Sequence, residues 1–334
     1  MNLRSLGASK LRVSELCLGT MSFGWVTDEA TSHRMLDRYV DAGGNFIDTA
    51  DIYAEGASEE IVGRWLKNRG RDELVVATKV RFATGPGPSQ KGLGREHLLG
   101  AVEASLRRLN TEYIDLYQLH CWDAETPLEE TLGAMESLVE SGKIRYVGIS
   151  NFTGWQLQKA LDLCRFLGFQ RVASFQGLYN LLDRFMEWDL LPVCRAEGVG
   201  LLCWSPLAGG WLTGLMRPGM DGPPPAGRFR EAEEGGWSES WSNYDTEHTW
   251  RVLEEFLEMA DGLGRSPPQV AINWLRTRGE VTAAILGAES LEQLEDSLLS
   301  LRWTLSPDQV EHLDAVSEQP VPRYPHRFIN RFNT

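Results

Sequence analysis

Positive charge is scarce in this sequence. The 334 residues include 33 lysines and arginines against 47 aspartates and glutamates, which gives a formal net charge of -14 at pH 7. Proteins that bind DNA, RNA or an anionic membrane surface through a broad positive field have the opposite balance. The composition therefore excludes nucleic acids and membranes as expected partners.

Long hydrophobic runs are also lacking. No stretch reaches the roughly 18 uninterrupted apolar residues that a membrane span needs. The opening segment, MNLRSLGASK, does not contain the apolar run of a signal peptide. The sequence therefore predicts a cytoplasmic protein.

Cysteine is infrequent, and no two cysteines are spaced as CxxC. An odd number of cysteines without such a pair favours neither a disulfide framework nor a zinc site. We therefore expect reduced thiols and no bound metal. The five cysteines are Cys17, Cys121, Cys164, Cys194 and Cys203.

Short apolar runs typical of strands alternate along the chain with longer amphipathic segments typical of helices. Eight strands are predicted, over residues 15–18, 45–48, 74–79, 113–119, 144–149, 172–176, 200–204 and 283–286. Helices are predicted over residues 28–41, 58–67, 95–108, 128–140, 156–167, 187–197 and 247–263, and another begins after Ser266. Five glycines in left-handed conformation are expected to end helices: Gly43, Gly70, Gly142, Gly168 and Gly198.

Eight β/α units favour a closed (β/α)8 TIM barrel, for which about 250 residues are typical. We expect one domain over residues 1–334, with the excess length in a long loop after strand 7 and a C-terminal tail. The loop, residues 205–246, is too long for an ordinary connection and is expected to be functional. The tail covers residues 319–334. The alternative is an open doubly wound sheet, but its GxGxxG fingerprint is missing, since GTMSFG follows Leu18.

Four ionisable side chains lie at the ends of predicted strands. Asp48 ends the second strand and Tyr53 follows shortly after it, Lys79 ends the third strand, and His120 follows the fourth. In a barrel, these positions share the C-terminal rim, where active sites lie. A tyrosine, with an ordinary pKa of about 10, is a weak proton donor at neutral pH unless a nearby cation stabilises its anion.

The four residue types together form a proton-donating group. Lys79 supplies the cation, Asp48 would hold Lys79 in place, and His120 would orient a carbonyl oxygen. Tyr53 would then donate its proton to that oxygen. The residues alone leave carbonyl reduction and enolisation both open, and each side chain taken singly also fits a structural role.

Over nearly its whole length the sequence resembles the aldo-keto reductase superfamily. The segments that carry the resemblance are NFIDTADIY (45–53), VATK (76–79), DLYQLH (115–120), KIRYVGISN (143–151), FQGLYN (175–180) and WSPLAGG (204–210). The resemblance implies a TIM barrel in which a nicotinamide exchanges a hydride with a carbonyl compound. It also implies that Tyr53, Asp48, Lys79 and His120 are the catalytic tetrad.

The resemblance further implies the residues that hold the cofactor. Ser150, Asn151 and Gln176 would bind the carboxamide of the nicotinamide, beside Asp48. Trp204 takes the place of an aromatic residue that stacks on the ring.

Two more segments of the cofactor site follow from the resemblance. One consists of Thr20 and Met21, which follow the first strand and are expected to contact the cofactor. Ser205, Leu207 and Gly209 match the segment that wraps the pyrophosphate, where small residues let backbone N–H groups approach phosphate oxygens.

After the last strand the sequence departs from the pattern of NADPH-using relatives, which commonly have an arginine for the 2'-phosphate. Here that position is Glu289, in a segment that also provides Gly287, Gln293 and Ser297, and residues 283–300 contain no lysine or arginine. A carboxylate suits the free 2'-hydroxyl of NAD instead. We therefore expect NAD(H), with NADP(H) as the alternative if a distant arginine reaches the phosphate.

Aromatic residues near the strand ends are candidates for the substrate pocket. Such positions are held by Trp25, Phe82 and Trp122, and further candidates lie in the long insertion: Trp211, Trp237, Trp241 and Tyr244. Aromatic walls suit both sugars and apolar carbonyl compounds, so they do not identify the substrate.

The expected function is therefore an NAD(P)-dependent oxidoreductase that acts on a small aldehyde or ketone, or on the corresponding alcohol or sugar, with Tyr53 as proton donor. The alternative is a nicotinamide-binding regulatory subunit that acts through a protein partner. Self-association, the working direction and the physiological substrate stay open at this point.

Overall fold

The alternating strand and helix patterns form parallel β/α units in the computed structural model, which describes residues 1–224, 228–236 and 238–332. The chain forms two compact units. Unit 1 contains residues 1–177, 193–204 and 280–295, and unit 2 contains residues 178–192, 205–279 and 296–334.

The strands and helices are numbered in chain order. The strands are β1 (Leu3–Ser5), β2 (Arg12–Ser14), β3 (Leu16–Gly19), β4 (Phe46–Asp48), β5 (Val75–Val80), β6 (Ile114–Leu119), β7 (Ile144–Ser150), β8 (Val172–Leu178), β9 (Gly200–Trp204) and β10 (Val281–Leu286). The helices are α1 (Glu29–Asp41), α2 (Ala57–Leu66), α3 (Arg95–Arg108), α4 (Leu128–Glu140), α5 (Gly154–Leu167), α6 (Leu190–Glu197), α7 (Arg228–Gly235), α8 (Trp241–Tyr244), α9 (Glu247–Gly262), α10 (Pro267–Thr277), α11 (Leu291–Leu299), α12 (Pro307–Val316) and α13 (His326–Asn330).

Strands β3 to β10 close into an eight-stranded barrel in chain order, with β10 returning to pair with β3. Neighbouring strands are parallel, and Ile285 of β10 pairs with Cys17 of β3. Strands such as β5 and β6 are buried along their whole length, as expected for parallel strands covered on both faces. The predicted TIM barrel is confirmed.

The hairpin formed by β1 and β2 lies at the N-terminal ends of the strands and was not predicted. Arg4 donates to the carbonyl of Val281 at the start of β10, at 2.6 Å. Gly7 joins the two strands with φ +56, and a Cβ there would lie 2.4 Å from the carbonyl oxygen of Gly198. Only glycine fits both the conformation and the space. Side chains of the hairpin and of the barrel form one core cluster: Leu6, Val13, Cys17, Phe46, Val75, Ala77, Leu116, Ala173, Leu202, Ala283 and Ile285.

Four of the five predicted glycine stops are in left-handed conformation: Gly43, Gly142, Gly168 and Gly198. The prediction for Gly70 is wrong, because its φ is -70 and it precedes a short 3-10 turn over Arg71–Glu73. Helix α2 ends earlier, at Leu66, and Arg69 N–H donates to the carbonyl of Leu66 at 3.0 Å. The chain leaves α2 through the turn closed by the hydrogen bond between Arg69 and Leu66, so the helix does not need a glycine in left-handed conformation to end it.

The sixth predicted helix begins later than expected. Residues Phe185–Glu187 form a separate 3-10 turn, and α6 begins at Leu190. The reason is Pro192, which has no N–H and whose ring clashes with the carbonyl four residues earlier. In the first turn of α6 this proline is tolerated, whereas a helix that began at residue 187 would place it in the interior.

Unit 2 contains the long insertion and helices α9, α10 and α12. Within the insertion, residues Ala208–Thr213 form a 3-10 segment, followed by α7 and α8. The predicted helix after Ser266 is confirmed, since the Ser266 hydroxyl accepts from Gln269 N–H and Pro267 is the first helical residue. Trp237 and residues 225–227 of the insertion lie outside the described residues, as do residues 333–334 of the tail.

In the part of the chain that the structure describes, no helix is both long and apolar enough to cross a membrane.

Candidate active site

The structure brings the four predicted catalytic residues together at the C-terminal rim of the barrel. Asp48 is the last residue of β4, and Tyr53 begins a 3-10 turn over Tyr53–Gly56. Lys79 lies in β5, and His120 directly follows β6. Parallel strands place all four on the same edge, which is why separate stretches of sequence converge there.

Lys79 is the centre of this group and is fully buried. Its ammonium donates to Asp48 Oδ2 at 2.5 Å, to the carbonyl of Thr49 at 2.8 Å and to the phenol oxygen of Tyr53 at 3.1 Å. Burial disfavours the charged ammonium, but the charges of Asp48 and Tyr53 outweigh that cost and hold the pKa of Lys79 above its ordinary value. Lys79 is therefore a cation throughout the physiological pH range.

His120 packs beside the tyrosine. The two ring centroids lie 5.9 Å apart in an edge-to-face arrangement, and Phe82 contacts the other side of the imidazole at 4.9 Å. Burial, followed by the charges of Lys79 and Arg81, lowers the pKa of His120 well below its usual range. The imidazole is therefore neutral near pH 7, which suits a hydrogen-bond donor to a carbonyl oxygen better than a proton source.

Two glutamines that hold Asp48 complete the buried network. Gln118 and Gln176 each donate an amide N–H to Asp48 Oδ1 at 2.9 Å, and Gln176 also donates to Gln118 Oε1 at 3.2 Å. Asp48 thus accepts from two amides on one oxygen and from Lys79 on the other. This arrangement fixes the carboxylate that holds the Lys79 ammonium.

Sequence reasoning missed Gln118. The signal was present in DLYQLH, because residues two apart in a strand share a face and Gln118 lies two positions before His120. Space for the glutamine depends on the next strand, where a Cβ on Gly148 would lie 2.8 Å from Gln118 Cγ. That contact depends on strand register and is not visible in the sequence of β6 alone.

Asp51 is a second buried carboxyl that sequence reasoning left without a role. Neither of its oxygens, nor the hydroxyl of Tyr117, has a hydrogen-bond partner among the described residues. Burial and the nearby charge of Glu59 raise the pKa of Asp51 to about 7, although Arg108 and Lys79 oppose the shift. The folded protein therefore keeps Asp51 protonated at pH values where the unfolded chain ionises it.

We expect the substitution Asp51→Asn to stabilise the protein more at pH 8 than at pH 5. A raised folded-state pKa means that the folded state binds the extra proton, so the free energy of unfolding falls as the pH rises from about 4 to about 7. The loss is a few kcal/mol at about 1.4 kcal/mol per pKa unit. Asparagine cannot ionise and removes this loss. Urea unfolding of both proteins at the two pH values measures the difference.

Asp41→Asn is the control for this experiment, because Asp41 is exposed on the protein surface. Its effect should be small and similar at both pH values. If Asp51→Asn changed the unfolding free energy equally at pH 5 and pH 8, Asp51 would titrate as an ordinary carboxyl and the interpretation would be wrong.

Residues expected to hold the nicotinamide surround the same rim within unit 1. The Ser150 hydroxyl is buried and has no hydrogen-bond partner among the described residues. Asn151, with φ +53, donates from Nδ2 to the carbonyl of His120 at 2.9 Å and accepts from Trp204 Nε1 at 3.2 Å. Trp204 is half-buried, which leaves part of its ring exposed for stacking. An unpaired buried hydroxyl and a partly exposed indole fit the expected amide and ring of a nicotinamide.

The other residues in unit 1 that are expected to contact the cofactor differ in whether their side chains already have partners in the protein. The Thr20 hydroxyl donates to the carbonyl of Asp48 at 3.1 Å and contacts the Ser58 hydroxyl at 2.8 Å, so it serves the protein's own network. Met21 is half-buried next to it, and Gly287 is exposed, with open space around it.

The segment after β10 is held by its backbone. The carbonyl of Glu289 accepts from Thr27 Oγ1 at 2.9 Å, and its N–H donates to Gln293 Oε1 at 2.8 Å. Among the described residues, the Glu289 carboxylate forms no salt bridge. Its side chain is therefore available to a ligand while its backbone is fixed.

The expected pyrophosphate segment belongs to unit 2 and has a partner that the sequence did not indicate. The Ser205 hydroxyl donates to Glu239 Oε1 at 2.6 Å and accepts from Gly209 N–H at 3.0 Å. Gly209 has φ +62, and a Cβ there would lie 2.5 Å from Glu239 Cβ. Leu207 precedes this 3-10 segment, and Ser297 is buried in α11. The Ser205 hydroxyl therefore already has a hydrogen-bond partner within the protein, Glu239, which the sequence did not indicate.

Trp211, predicted to line the substrate pocket, is fully buried. It has no exposed surface, packs against the rings of Trp241, Tyr244 and Trp250 at 5.2 to 5.5 Å, and donates from Nε1 to the carbonyl of Glu239 at 3.2 Å. Such burial argues against contact with a substrate and indicates that Trp211 forms the aromatic core of unit 2.

The remaining pocket candidates lie in unit 1. Phe82 contacts His120 directly, as described above. Trp122 packs against Phe152 at 5.1 Å, and Trp25 is 42% exposed. Phe82 thus contacts His120, one of the four predicted catalytic side chains.

Comparison with known proteins agrees with this geometry. The profile of the aldo/keto reductase family matches residues 15–318. The chain is 36% identical to the uncharacterized oxidoreductase YrpG of Bacillus subtilis, over 97% of this chain and 98% of that protein. It is 34% identical to versiconal hemiacetal acetate reductase of Aspergillus parasiticus, over 98% and 99% of the two chains. A probable voltage-gated potassium channel subunit beta of rice is also 34% identical, over 97% and 98%. The chain belongs to the aldo/keto reductase family, whose members are oxidoreductases that use nicotinamide cofactors.

Proposed function

We propose that this protein catalyses the reversible reduction of an aldehyde or ketone to an alcohol, with Tyr53 as the proton donor. The observation that carries the proposal is the buried Lys79 ammonium, which contacts Asp48 and the phenol oxygen of Tyr53 at the same time. A fixed cation 3.1 Å from a phenol stabilises the phenolate that remains after the proton has left.

Each side chain of the tetrad has one role in this reaction. Neutral His120 donates a hydrogen bond to the carbonyl oxygen and orients the substrate. Tyr53 then transfers its proton to that oxygen, and Lys79 stabilises the resulting phenolate. Asp48 keeps Lys79 charged and in position. In the oxidative direction the phenolate takes the proton back from the alcohol.

Three residues support a nicotinamide as the hydride carrier at this rim. Ser150 offers an unpaired buried hydroxyl and Asn151 an amide, while Trp204 offers a partly exposed indole face. When bound there, the nicotinamide supplies the hydride for reduction or accepts it for oxidation.

We further propose that the protein prefers NAD(H). The Glu289 backbone is held from both sides, and in the described part of the chain its carboxylate has no cationic partner. A carboxylate accepts from a ribose 2'-hydroxyl but repels a 2'-phosphate. NAD linkage favours the oxidation of an alcohol, and a sugar or another hydroxy compound is the expected substrate class.

The substitution Glu289→Arg is expected to raise the affinity for NADPH about tenfold, a change of about 1.4 kcal/mol. The guanidinium replaces repulsion of the 2'-phosphate with a charge-assisted hydrogen bond. Quenching of tryptophan fluorescence at fixed salt measures both cofactors on the wild type and the variant. Glu292→Arg adds the same charge at an exposed position nearby and should change the NADPH affinity little. An unchanged NADPH affinity in Glu289→Arg would contradict the assignment.

The proposed reaction itself is tested on a panel of aldehydes, ketones, aldoses and polyols with each cofactor. Turnover with at least one carbonyl or alcohol supports it. The similarity to the rice channel subunit favours a second candidate function, that of a nicotinamide-binding regulatory subunit. Negligible turnover on the whole panel, together with tight cofactor binding and a stable complex with another protein, would favour that candidate.

A further inference from the structure

Helix α5 leaves two large aromatic side chains on its outer face. Trp155 is 62% exposed and Phe166 is 85% exposed. They lie at opposite ends of a groove of about 460 Å³. The residues that line this groove are Trp155, Gln158, Lys159, Asp162, Leu163 and Phe166.

Trp155 packs edge-to-face on Trp122, with 5.7 Å between the ring centroids, but most of the contact between α5 and the barrel comes from other side chains. The helix buries a different set of residues on its inner side: Gly154, Leu157, Ala160, Leu161 and Cys164. The groove residues recur at spacings of three and four and therefore share the opposite face. An apolar pair exposed in this way on a folded helix marks an interaction surface.

The order of side chains along this face makes it complementary to itself. If a second copy of α5 lies antiparallel, with the pair centred between residues 160 and 161, Trp155 lies opposite Phe166. Lys159 lies opposite Asp162, which places an ammonium against a carboxylate. Because the pattern is symmetric about its centre, each of these contacts forms twice, as a two-fold dimer requires.

Asp162 already forms a salt bridge with Arg165 of its own helix, but only one of its two carboxylate oxygens is used. Gln158 and Arg165 both donate to Asp162 through Oδ1, at 3.1 and 2.9 Å. Neither contact uses Oδ2. Lys159 is exposed and, among the described residues, forms no salt bridge. In an antiparallel pair, Lys159 can therefore approach Oδ2 of Asp162 in the second copy, while Gln158 and Arg165 keep their contacts with Oδ1.

We propose that α5 is a self-association surface through which two copies of this chain pair antiparallel. Each large aromatic ring offers about 150–250 Å². Four rings with the groove residues between them bring the buried area to roughly 1,000 Å², below the 1,200–2,000 Å² of stable interfaces. The dimer is therefore weak and depends on protein concentration.

The test is sedimentation velocity of the full chain over a range of protein concentrations. We expect a monomer–dimer equilibrium that Phe166→Glu weakens at least tenfold, because the glutamate buries a charge against an indole. Lys159→Asp places carboxylates opposite each other, and Asp162→Lys does the same with ammonium groups. Each single variant should therefore also dimerise more weakly than the wild type.

An equimolar mixture of Lys159→Asp and Asp162→Lys separates this geometry from other interfaces. Only in the mixed pair does each central contact join opposite charges, so the mixture is expected to recover dimerisation that neither variant shows alone. Lys67→Asp, an exposed site on another element, is the charge control. Circular dichroism confirms that all variants fold. A monomer at every concentration overturns the proposal, as does a dimer that Phe166→Glu leaves intact or a mixture that shows no recovery.

Discussion

The substitution Tyr53→Phe is expected to lower kcat for carbonyl reduction by about 10²- to 10⁴-fold, the usual contribution of a positioned proton donor. It removes only the phenol oxygen that lies 3.1 Å from Lys79 Nζ. The ring that packs on His120 remains, so the shape of the site is retained. The measurement is single-turnover kinetics with saturating cofactor, alongside the cofactor dissociation constant.

Two comparisons decide how that result is read. The cofactor dissociation constant should stay within about twofold, because no expected cofactor contact uses the Tyr53 hydroxyl. Tyr113→Phe removes a hydroxyl that donates to Asp72 at 2.7 Å, just before β6 begins, and should leave kcat unchanged. A rate for Tyr53→Phe close to that of Tyr113→Phe would show that the proton comes from another group.

The substitution Lys79→Met is expected to cost both activity and stability. It leaves the Asp48 carboxylate buried with only two amide donors, and removing one partner of a buried ion pair costs about 3–5 kcal/mol. The rate should fall by at least about 10²-fold, since the phenolate loses its cation. Urea unfolding and steady-state kinetics give the two values.

The way the unfolding free energy depends on pH distinguishes the effect of Lys79→Met from that of Asp51→Asn. The folded-state pKa of Lys79 lies above its ordinary value, so its contribution is complete below about pH 10 and is lost only as the pH rises further. The stability deficit of Lys79→Met should therefore be the same at pH 6 and pH 9, whereas the stabilisation by Asp51→Asn should grow between about pH 4 and pH 7. Combining Lys79→Met with Asp48→Leu should cost less than the sum of the two single changes, because both remove the same interaction. Additive costs would mean that the pair is not coupled.

The barrel and the clustering of Asp48, Tyr53, Lys79 and His120 could be predicted because their signals are local. Strand patterns, helix caps and the residue that follows each strand are all read within a few positions. Asp48, Lys79 and His120 occupy equivalent positions on successive units, so the fold alone places them on one edge.

The contacts that could not be predicted depend on register or on loops without a pattern. Gln118 and Gln176 reach one oxygen of Asp48 from two different strands, and Gly148 leaves the space that Gln118 needs. Glu239 meets Ser205 across 34 residues of an insertion that has no regular spacing. No periodicity in the sequence relates these pairs.

Closure of the barrel makes the order of synthesis matter. Strand β3 ends at Gly19, but its partner β10 ends only at Leu286, so all the other barrel strands are synthesised before these two can pair. At about 5–20 residues per second, β3 waits on the order of ten to fifty seconds with one edge unpaired. An unpaired apolar edge is a template for aggregation. The barrel therefore closes only after residue 286 has been made, and until then the free edge of β3 must be kept from pairing with other chains.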